Sequence, residues 1–239
     1  MTETNISNNL NLFYMKRLFF FVSVALMVLA TSCKKSDKNV VPTNDGDENV
    51  AYSYYVNTRN LCGKSVNDVV AGLKGMELNQ ETQTKYSKNF GKYAIEVSFT
   101  DVDDNNAVDI LTITLLPSED PKHEKLFTYN YVLALAKLIN TEDKMLSDNV
   151  PCRFYGFYSE DKGEWLSRKF DDFVNGKDVT EQYLGGGSAY WLDNSIENYK
   201  PTEKETFTGM ILTPVQMMDG TNPKDEYKII LTFAFKQVL

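Results

Sequence analysis

Apolar and polar residues alternate most regularly between residues 93 and 116, and this period of two predicts a β-hairpin. Every second residue of the first strand is apolar: Tyr93, Ile95, Val97 and Phe99. The polar segment 101–106 predicts the turn. Residues 108–116 predict the returning strand, which Pro117 ends.

Helical spacing replaces this alternation in three other segments. Residues 65–74 carry one apolar stripe, with Ser65 as the N-cap and Gly75 as the stop. Residues 129–139 are apolar without alternation and rich in helix-forming Leu and Ala, which predicts a largely buried helix. Residues 160–175 predict an amphipathic helix whose apolar positions face inward: Trp165, Leu166, Phe170, Phe173 and Val174.

Further strands are predicted at 150–158, 205–213 and 227–238, the last with apolar residues at every second position from Tyr227. No linker or internal repeat interrupts residues 50–239. We therefore expect one α+β domain, an antiparallel or mixed β-sheet with about three helices packed on it.

The N-terminal region has the organisation of a secretory signal. After a polar stretch, Met15 is followed by Lys16 and Arg17, then by a run from residue 18 to residue 30 with one polar residue. This run makes a helix of roughly 20 Å, too short to span a bilayer, and small residues follow it. We predict a signal peptide at residues 1–32, with Met15 as the true start.

The sequence Leu29-Ala30-Thr31-Ser32-Cys33 resembles a bacterial lipobox, although Ala30 stands where a larger aliphatic residue is usual. The resemblance implies cleavage before Cys33 and acylation of its thiol, which with several acyl chains gives a firm membrane anchor. The alternative is an ordinary secretory signal in which Cys33 is incidental.

Residues 33–49 contain no aromatic residue and little apolar content, which predicts a flexible tether. Signal, tether and one acidic domain together resemble the lipoproteins abundant in Bacteroidetes. The resemblance implies an outer-membrane lipoprotein of the cell envelope. The tether begins with a basic stretch, residues 34–38, where surface-exported members carry acidic residues, so the periplasmic face is favoured over the cell surface.

Composition and charge exclude several classes. Hydrophobic residues make up 42% and charged residues 24% of the 239, which is ordinary globular usage. Loss of residues 1–32 removes two basic residues and one acidic residue, which changes the formal net charge from −8 to −9. Such a chain repels nucleic acid, so no nucleic-acid partner is expected. The single histidine, His123, excludes a multi-histidine metal site.

Two cysteines, Cys62 and Cys152, remain in the predicted domain. In an oxidising envelope they form a possible disulfide. The alternative is two buried thiols, because cysteine without a bridge is among the most buried residue types.

Two motifs imitate ligand sites without completing them. Asp101, Asp103, Asn105 and Asp109 imitate the start of a calcium loop but lack its glycine and its bidentate glutamate, so a polar turn is the better interpretation. The segment 185–188 (Gly-Gly-Gly-Ser) lacks the lysine of a phosphate loop and predicts a flexible loop. No metal and no cofactor are predicted.

The aromatic residues Tyr190, Trp191 and Trp165 are the candidates for stacking on a ligand such as a sugar; packing in a core is the alternative for each. Hydrolysis of a glycoside needs two carboxylates, and several lie near these aromatic residues. They are Glu160, Asp161, Glu164, Asp171 and Asp172. No motif marks a catalytic residue.

The sequence thus favours a lipid-anchored envelope protein with a non-catalytic domain that binds a ligand or a protein, with glycan or protein as the possible partner. The alternative is a glycan-acting hydrolase that uses paired carboxylates. A hydrolase requires a concave site with two converging carboxylates, whereas a binding module presents an aromatic strip or an exposed apolar patch.

Overall fold

The computed structural model describes residues 47–101, 106–120, 122–142, 145–146, 150–201 and 208–234. All of them belong to one compact unit, residues 42–239. These ranges contain five helices: α1 (Asp47–Arg59), α2 (Val66–Gly75), α3 (Tyr129–Glu142), α4 (Phe170–Val174) and α5 (Glu181–Leu184). They also contain ten strands: β1 (Asn79–Gln80), β2 (Lys85–Asn89), β3 (Tyr93–Thr100), β4 (Ile110–Pro117), β5 (Met145–Leu146), β6 (Val150–Ser159), β7 (Glu164–Ser167), β8 (Gly187–Asp193), β9 (Gly209–Asp219) and β10 (Asn222–Ala234).

The strands form one sheet in the order β1-β2-β3-β4-β10-β9-β8-β6-β5, and β7 pairs with β6 beside this path. All the pairings between described strands are antiparallel. The predicted α+β class is confirmed, with an antiparallel sheet. Five helices are described where about three were expected, and two of the five are short.

The hairpin and the last strand lie where their alternation predicts. Val97 of β3 lies opposite Ile113 of β4, which lies opposite Leu231 of β10. All three side chains are buried. Strand β10 comes last in the chain, yet it lies in the middle of the sheet, between β4 and β9. Residues 235–239, the end of the predicted strand, lie outside the described residues.

One face of the sheet is covered by helices. Ser65 caps α2 by accepting a hydrogen bond from the Asp68 backbone N–H, and Leu73 of this helix is fully buried. Helix α1 contributes Tyr55, whose ring lies 5.7 Å from that of Phe233 on β10. Helices α3, α4 and α5 also add buried apolar side chains to this main core. The helices and this face of the sheet therefore bury one continuous apolar layer.

The predicted helix at 160–175 is wrong. Residues 160–163 form a turn between β6 and β7, closed by a hydrogen bond from the Gly163 N–H to the Ser159 carbonyl (2.9 Å). Gly163 adopts a φ of +67°, which glycine tolerates and which ends any helix. Trp165 then pairs with Tyr158 in the sheet, and only α4 is helical. The apolar spacing fits a short strand followed by a short helix as well as it fits one long helix.

Two other elements differ from the prediction. Helix α1 begins at Asp47, so the last three residues of the predicted tether, 47–49, are helical; residues 33–46 lie outside the described residues. Strand β8 was not predicted, because six of its seven residues are buried and it shows no alternation. The predicted strand at 205–213 is β9, which begins at Gly209 and continues to Asp219; residues 202–207 lie outside the described residues.

Candidate functional site

The face of the sheet opposite the helices is half exposed between β3 and β9, and we call it the open face. Two neighbouring rows of opposed residues define it: Ser98–Thr112–Thr232–Ile211 and Glu96–Thr114–Ile230–Thr213. Ser98 is exposed and the other seven are half-buried. Val215, further along β9, is 39% exposed. None of the five described helices packs on these rows, which are neutral apart from Glu96; Glu96 forms an ion pair with Lys85 (3.0 Å).

Toward β8, β6 and β7 the same face carries a second hydrophobic cluster, separate from the main core, which we call the aromatic cluster. Its buried members are Tyr155, Tyr158, Tyr190, Leu192 and Tyr199, and its partly buried members are Trp165, Ile196 and Ile211. The Trp165 ring lies 5.2 Å from Tyr155, 5.2 Å from Tyr158 and 5.4 Å from Tyr190, each time edge to face. This geometry is favourable for aromatic pairs. The cluster is therefore a rigid support for the half-buried Trp165.

The backbone of β6 also supports Trp165. A Cβ added at Gly156 would lie 2.7 Å from Cε3 of Trp165, so the missing side chain at this position lets the indole approach the strand directly.

Side chains of β6 hold the segment 194–201 beside the aromatic cluster through hydrogen bonds. The Tyr155 hydroxyl donates to the Glu197 carbonyl (2.9 Å) and accepts from the Tyr199 N–H (2.6 Å). Arg153 donates to the Ile196 carbonyl (3.0 Å). These hydrogen bonds hold a surface segment in one position beside Trp165.

Arg168 lies at the rim of the aromatic cluster. Its guanidinium carbon is 4.1 Å from the centre of the Trp165 ring and 4.7 Å from that of Tyr155, which is cation–π geometry. It also donates to the Tyr155 carbonyl (3.4 Å). On this edge of β6, residues 150–151 pair with β5 and residues 157–159 pair with β7. Tyr155 lies between these two pairings. Arg168 makes no ion pair with any carboxylate of the described residues.

The stacking prediction is wrong for Trp191 and Tyr190. Trp191 is fully buried on the helix side of the sheet, 5.5 Å from the Phe154 ring, and its indole N–H donates to the Asn140 side chain (3.2 Å). Tyr190 is 6% exposed, and burial, with Tyr199 and Glu160 nearby, raises the pKa of its hydroxyl. Neither ring is available to a ligand. Trp165 is the candidate that stays at the surface.

The structure distributes the candidate carboxylates over three elements. Glu160 and Asp161 lie in the turn after β6, Glu164 begins β7, and all three are exposed. Asp171 and Asp172 lie in α4, where Asp172 pairs with Lys177 (3.0 Å). Because the predicted helix at 160–175 does not form, Glu160 and Glu164 lie in a turn and a strand and not on one helix face.

The motifs that imitate ligand sites take structural roles where they are described. Asp101 accepts a hydrogen bond from the Asn106 N–H (2.7 Å), and residues 102–105 lie outside the described residues. Gly187 and Ser188 form the buried start of β8, so the prediction of a flexible loop is wrong for them. His123 is exposed, with Nδ1 2.9 Å from the Ser118 hydroxyl. Within the described ranges, no three His, Cys, Asp or Glu side chains group together as a metal site would require.

Cys62 and Cys152 are both buried and are not joined to each other, which fits the alternative of two buried thiols and not the possible disulfide. The Cys62 thiol lies 3.7 Å from the Phe233 carbonyl on β10, whereas Cys152 belongs to β6. Strands β9 and β8 lie between β10, which the Cys62 thiol contacts, and β6, so these two strands are three strand spacings apart, roughly 14 Å. A disulfide requires Cα atoms within about 7 Å.

No protein-family model, no curated protein and no solved structure matches this chain. None of the helices in the described part of the chain is both long and apolar enough to cross a membrane. Cys33 and the predicted signal peptide lie outside the described residues.

Sequence reasoning missed Arg168 and two of the three tyrosines that pack against Trp165, Tyr155 and Tyr158. Tyr155 and Tyr158 lie on β6, and a bulge beside Gly156 shifts the register between them. The sequence signal for a second cluster was the set of aromatic residues at strand positions that face away from the helices.

Proposed function

We propose that this chain is a lipid-anchored protein of the bacterial cell envelope whose folded domain binds a ligand or protein partner through the open face, without catalysis. Cys33 carries the anchor and the tether holds the domain near the outer membrane, on its periplasmic side. The basic, apolar and small-residue segments of residues 15–33 support the anchor.

The one-sided helix layer is the observation that carries the binding function. The five described helices contribute their buried side chains to one face of the sheet. The other face presents half-exposed Ile230 and exposed Val215 among neutral threonines, continuous with the aromatic cluster through Ile211. The apolar side chains Ile211, Ile230 and Val215 on this largely neutral face give a partner an area of apolar contact.

Site-specific photo-crosslinking in intact cells tests this assignment. A photoreactive amino acid replaces Thr114 on the open face or, as the matched control, exposed Asn67 on helix α2. We expect a discrete adduct, identified by its mass, from the Thr114 position and none from the Asn67 position. Equal adducts from both positions, or none from Thr114, would contradict binding at the open face.

A further inference from the structure

Arg168 differs from the paired lysines of this acidic chain. Lys85, Lys88 and Lys177 each lie 3.0 Å from a carboxylate oxygen. Arg168 is exposed and makes no such pair in the described part of the chain, although the sequence has 33 acidic residues and a net charge of −8. Its charge is therefore available to a group from outside the protein.

The stacking of Arg168 fixes the direction in which it can bind. The guanidinium lies over the Trp165 and Tyr155 rings, and one N–H is engaged by the Tyr155 carbonyl. Guanidinium has five N–H donors in one plane, so most remain at its outer edge. Paired N–H groups held in a plane match the two oxygens of a carboxylate. The aromatic support reduces the ordering that such binding would otherwise require.

A second arginine lies on the same side of β6. Arg153 precedes Tyr155 by two residues, so both side chains project from the same face. Arg153 donates to the Ile196 carbonyl and, like Arg168, makes no ion pair with the described carboxylates. Two arginines therefore flank Tyr155 beside the half-buried Trp165.

The surrounding negative charge disfavours a ligand that itself carries several negative charges. Glu160, Asp161 and Glu164 are exposed in the turn and strand that precede Arg168. With the overall negative charge, they repel a polyanion more than a ligand with a single charge. Trp165 is half-buried, so part of its apolar ring remains open to the C–H groups of a sugar ring.

We propose that Arg168, held on Trp165 and Tyr155, binds the carboxylate of a monoanionic sugar acid whose ring contacts the exposed rim of Trp165. This assignment rests on the proposed function, because it gives a ligand class to the aromatic-cluster end of the same face of the sheet.

Tryptophan fluorescence of the full chain in detergent tests the proposal. The chain has two tryptophans, and Trp191 is fully buried, so a ligand at Arg168 should change the emission of Trp165. The probes are galacturonate, galactose as the same ring without a carboxylate, and acetate as a carboxylate without a ring. We expect a saturable change with galacturonate and none with galactose. Acetate should bind at least about tenfold more weakly, since it lacks the ring contact.

The variants R168Q and K169Q separate a specific site from general charge. Lys169 is the neighbouring exposed cation and is not stacked on a ring. We expect R168Q to weaken galacturonate binding about tenfold or more and K169Q to change it less than twofold. The R168K variant keeps the charge and should bind with intermediate strength. Unfolding curves of each variant identify any loss that comes from misfolding.

Three results would overturn the assignment: no response to galacturonate, equal responses to galacturonate and galactose, or equal affinity in the wild type and a folded R168Q variant. Equal affinity for acetate would overturn the contact with the sugar ring. Failure of the sugar-acid assignment is distinguishable from failure of the proposed function. Galacturonate can fail to bind while the Thr114 adduct still forms, and the adduct can be absent while galacturonate still binds.

Discussion

Tyr190 and Tyr227 are buried phenols whose ionisation opposes folding. Burial is the main cause that raises the pKa of both hydroxyls. Nearby Tyr199 and Glu160 raise the pKa of Tyr190 further, and nearby Glu181 raises the pKa of Tyr227 further. In the unfolded chain a tyrosine ionises near pH 10. Because the folded pKa values are raised, the stability that the neutral phenols contribute is complete below about pH 10 and is lost as the pH rises further.

We therefore predict that the free energy of unfolding decreases steeply above about pH 10, and that Tyr190→Phe makes this decrease smaller. Urea unfolding of the wild type and the variant, at neutral pH and above pH 10, measures it. The difference between the two proteins at neutral pH sets the baseline for the substitution itself. A wild-type profile that stays flat above pH 10, or equal losses in both proteins, would contradict the burial of Tyr190.

Residue type alone did not decide which tryptophan is buried. Both tryptophans were stacking candidates, and Trp165 was also predicted to face inward on a helix. The register of their strands instead places Trp191 against the helices and Trp165 on the opposite side. This register depends on the bulge near Gly156, for which the local sequence has no clear signal. Of the three stacking candidates, Trp165 alone stays partly exposed at the candidate site, and Arg168 was not predicted at all.

Among the elements, β8 depends on a close approach between two strands. A Cβ at Gly187 would lie 2.3 Å from the Tyr158 carbonyl of β6, whereas a Cβ at Gly75, the last residue of α2, meets nothing within 4 Å. The two glycines therefore provide a matched pair of positions, one at a contact between strands and one at an open helix end.

We predict that Gly187→Ala destabilises the fold by about 1–3 kcal/mol because the strands must separate. Gly75→Ala should be neutral or stabilising by up to about 1 kcal/mol, since alanine loses less backbone freedom on folding. Chemical denaturation of both variants measures the free energies of unfolding. Equal effects of the two substitutions would show that β8 does not pack on β6 in this register.

Elements with one buried face were predictable, because burial imposes a period. The hairpin β3–β4, helix α2 and strand β10 follow from their spacing alone. Helix α3 follows from its helix-forming Leu and Ala residues. Strand β8 has no period because it is buried on both faces. Strand β7 and helix α4 were merged into one helix because the apolar spacing of short elements is ambiguous.

On the scale of the whole molecule, the α+β class followed from the order of elements, but the order of strands in the sheet did not. Strand β10 joins the N-terminal hairpin to the β9–β8–β6 half, a long-range pairing that no local pattern encodes. The same order separates β10, which the Cys62 thiol contacts, from β6, which carries Cys152. Spacing along the chain therefore could not decide between bridge and thiols.

We predict that both cysteines are thiols in the folded protein. A thiol reagent added to denatured protein without reductant should label Cys62 and Cys152 fully, as measured by the mass of each peptide. Pre-treatment with reductant is the control and should add no label. An increase in label after reduction, or a peptide pair linked through the two residues, would contradict the strand order.

The proposed function depends on acylation of Cys33, which would confine the proposed binding domain to a lipid surface. Mass spectrometry of the N-terminal peptide from membrane-purified protein is the most direct measurement. We predict a peptide that begins at Cys33 and carries acyl chains. Cys33→Ala should move the protein to the soluble fraction, and Cys152→Ala, which removes a buried thiol, should leave it in the membrane fraction. An unmodified Cys33 thiol, or a chain that retains residues 15–32, would contradict the account.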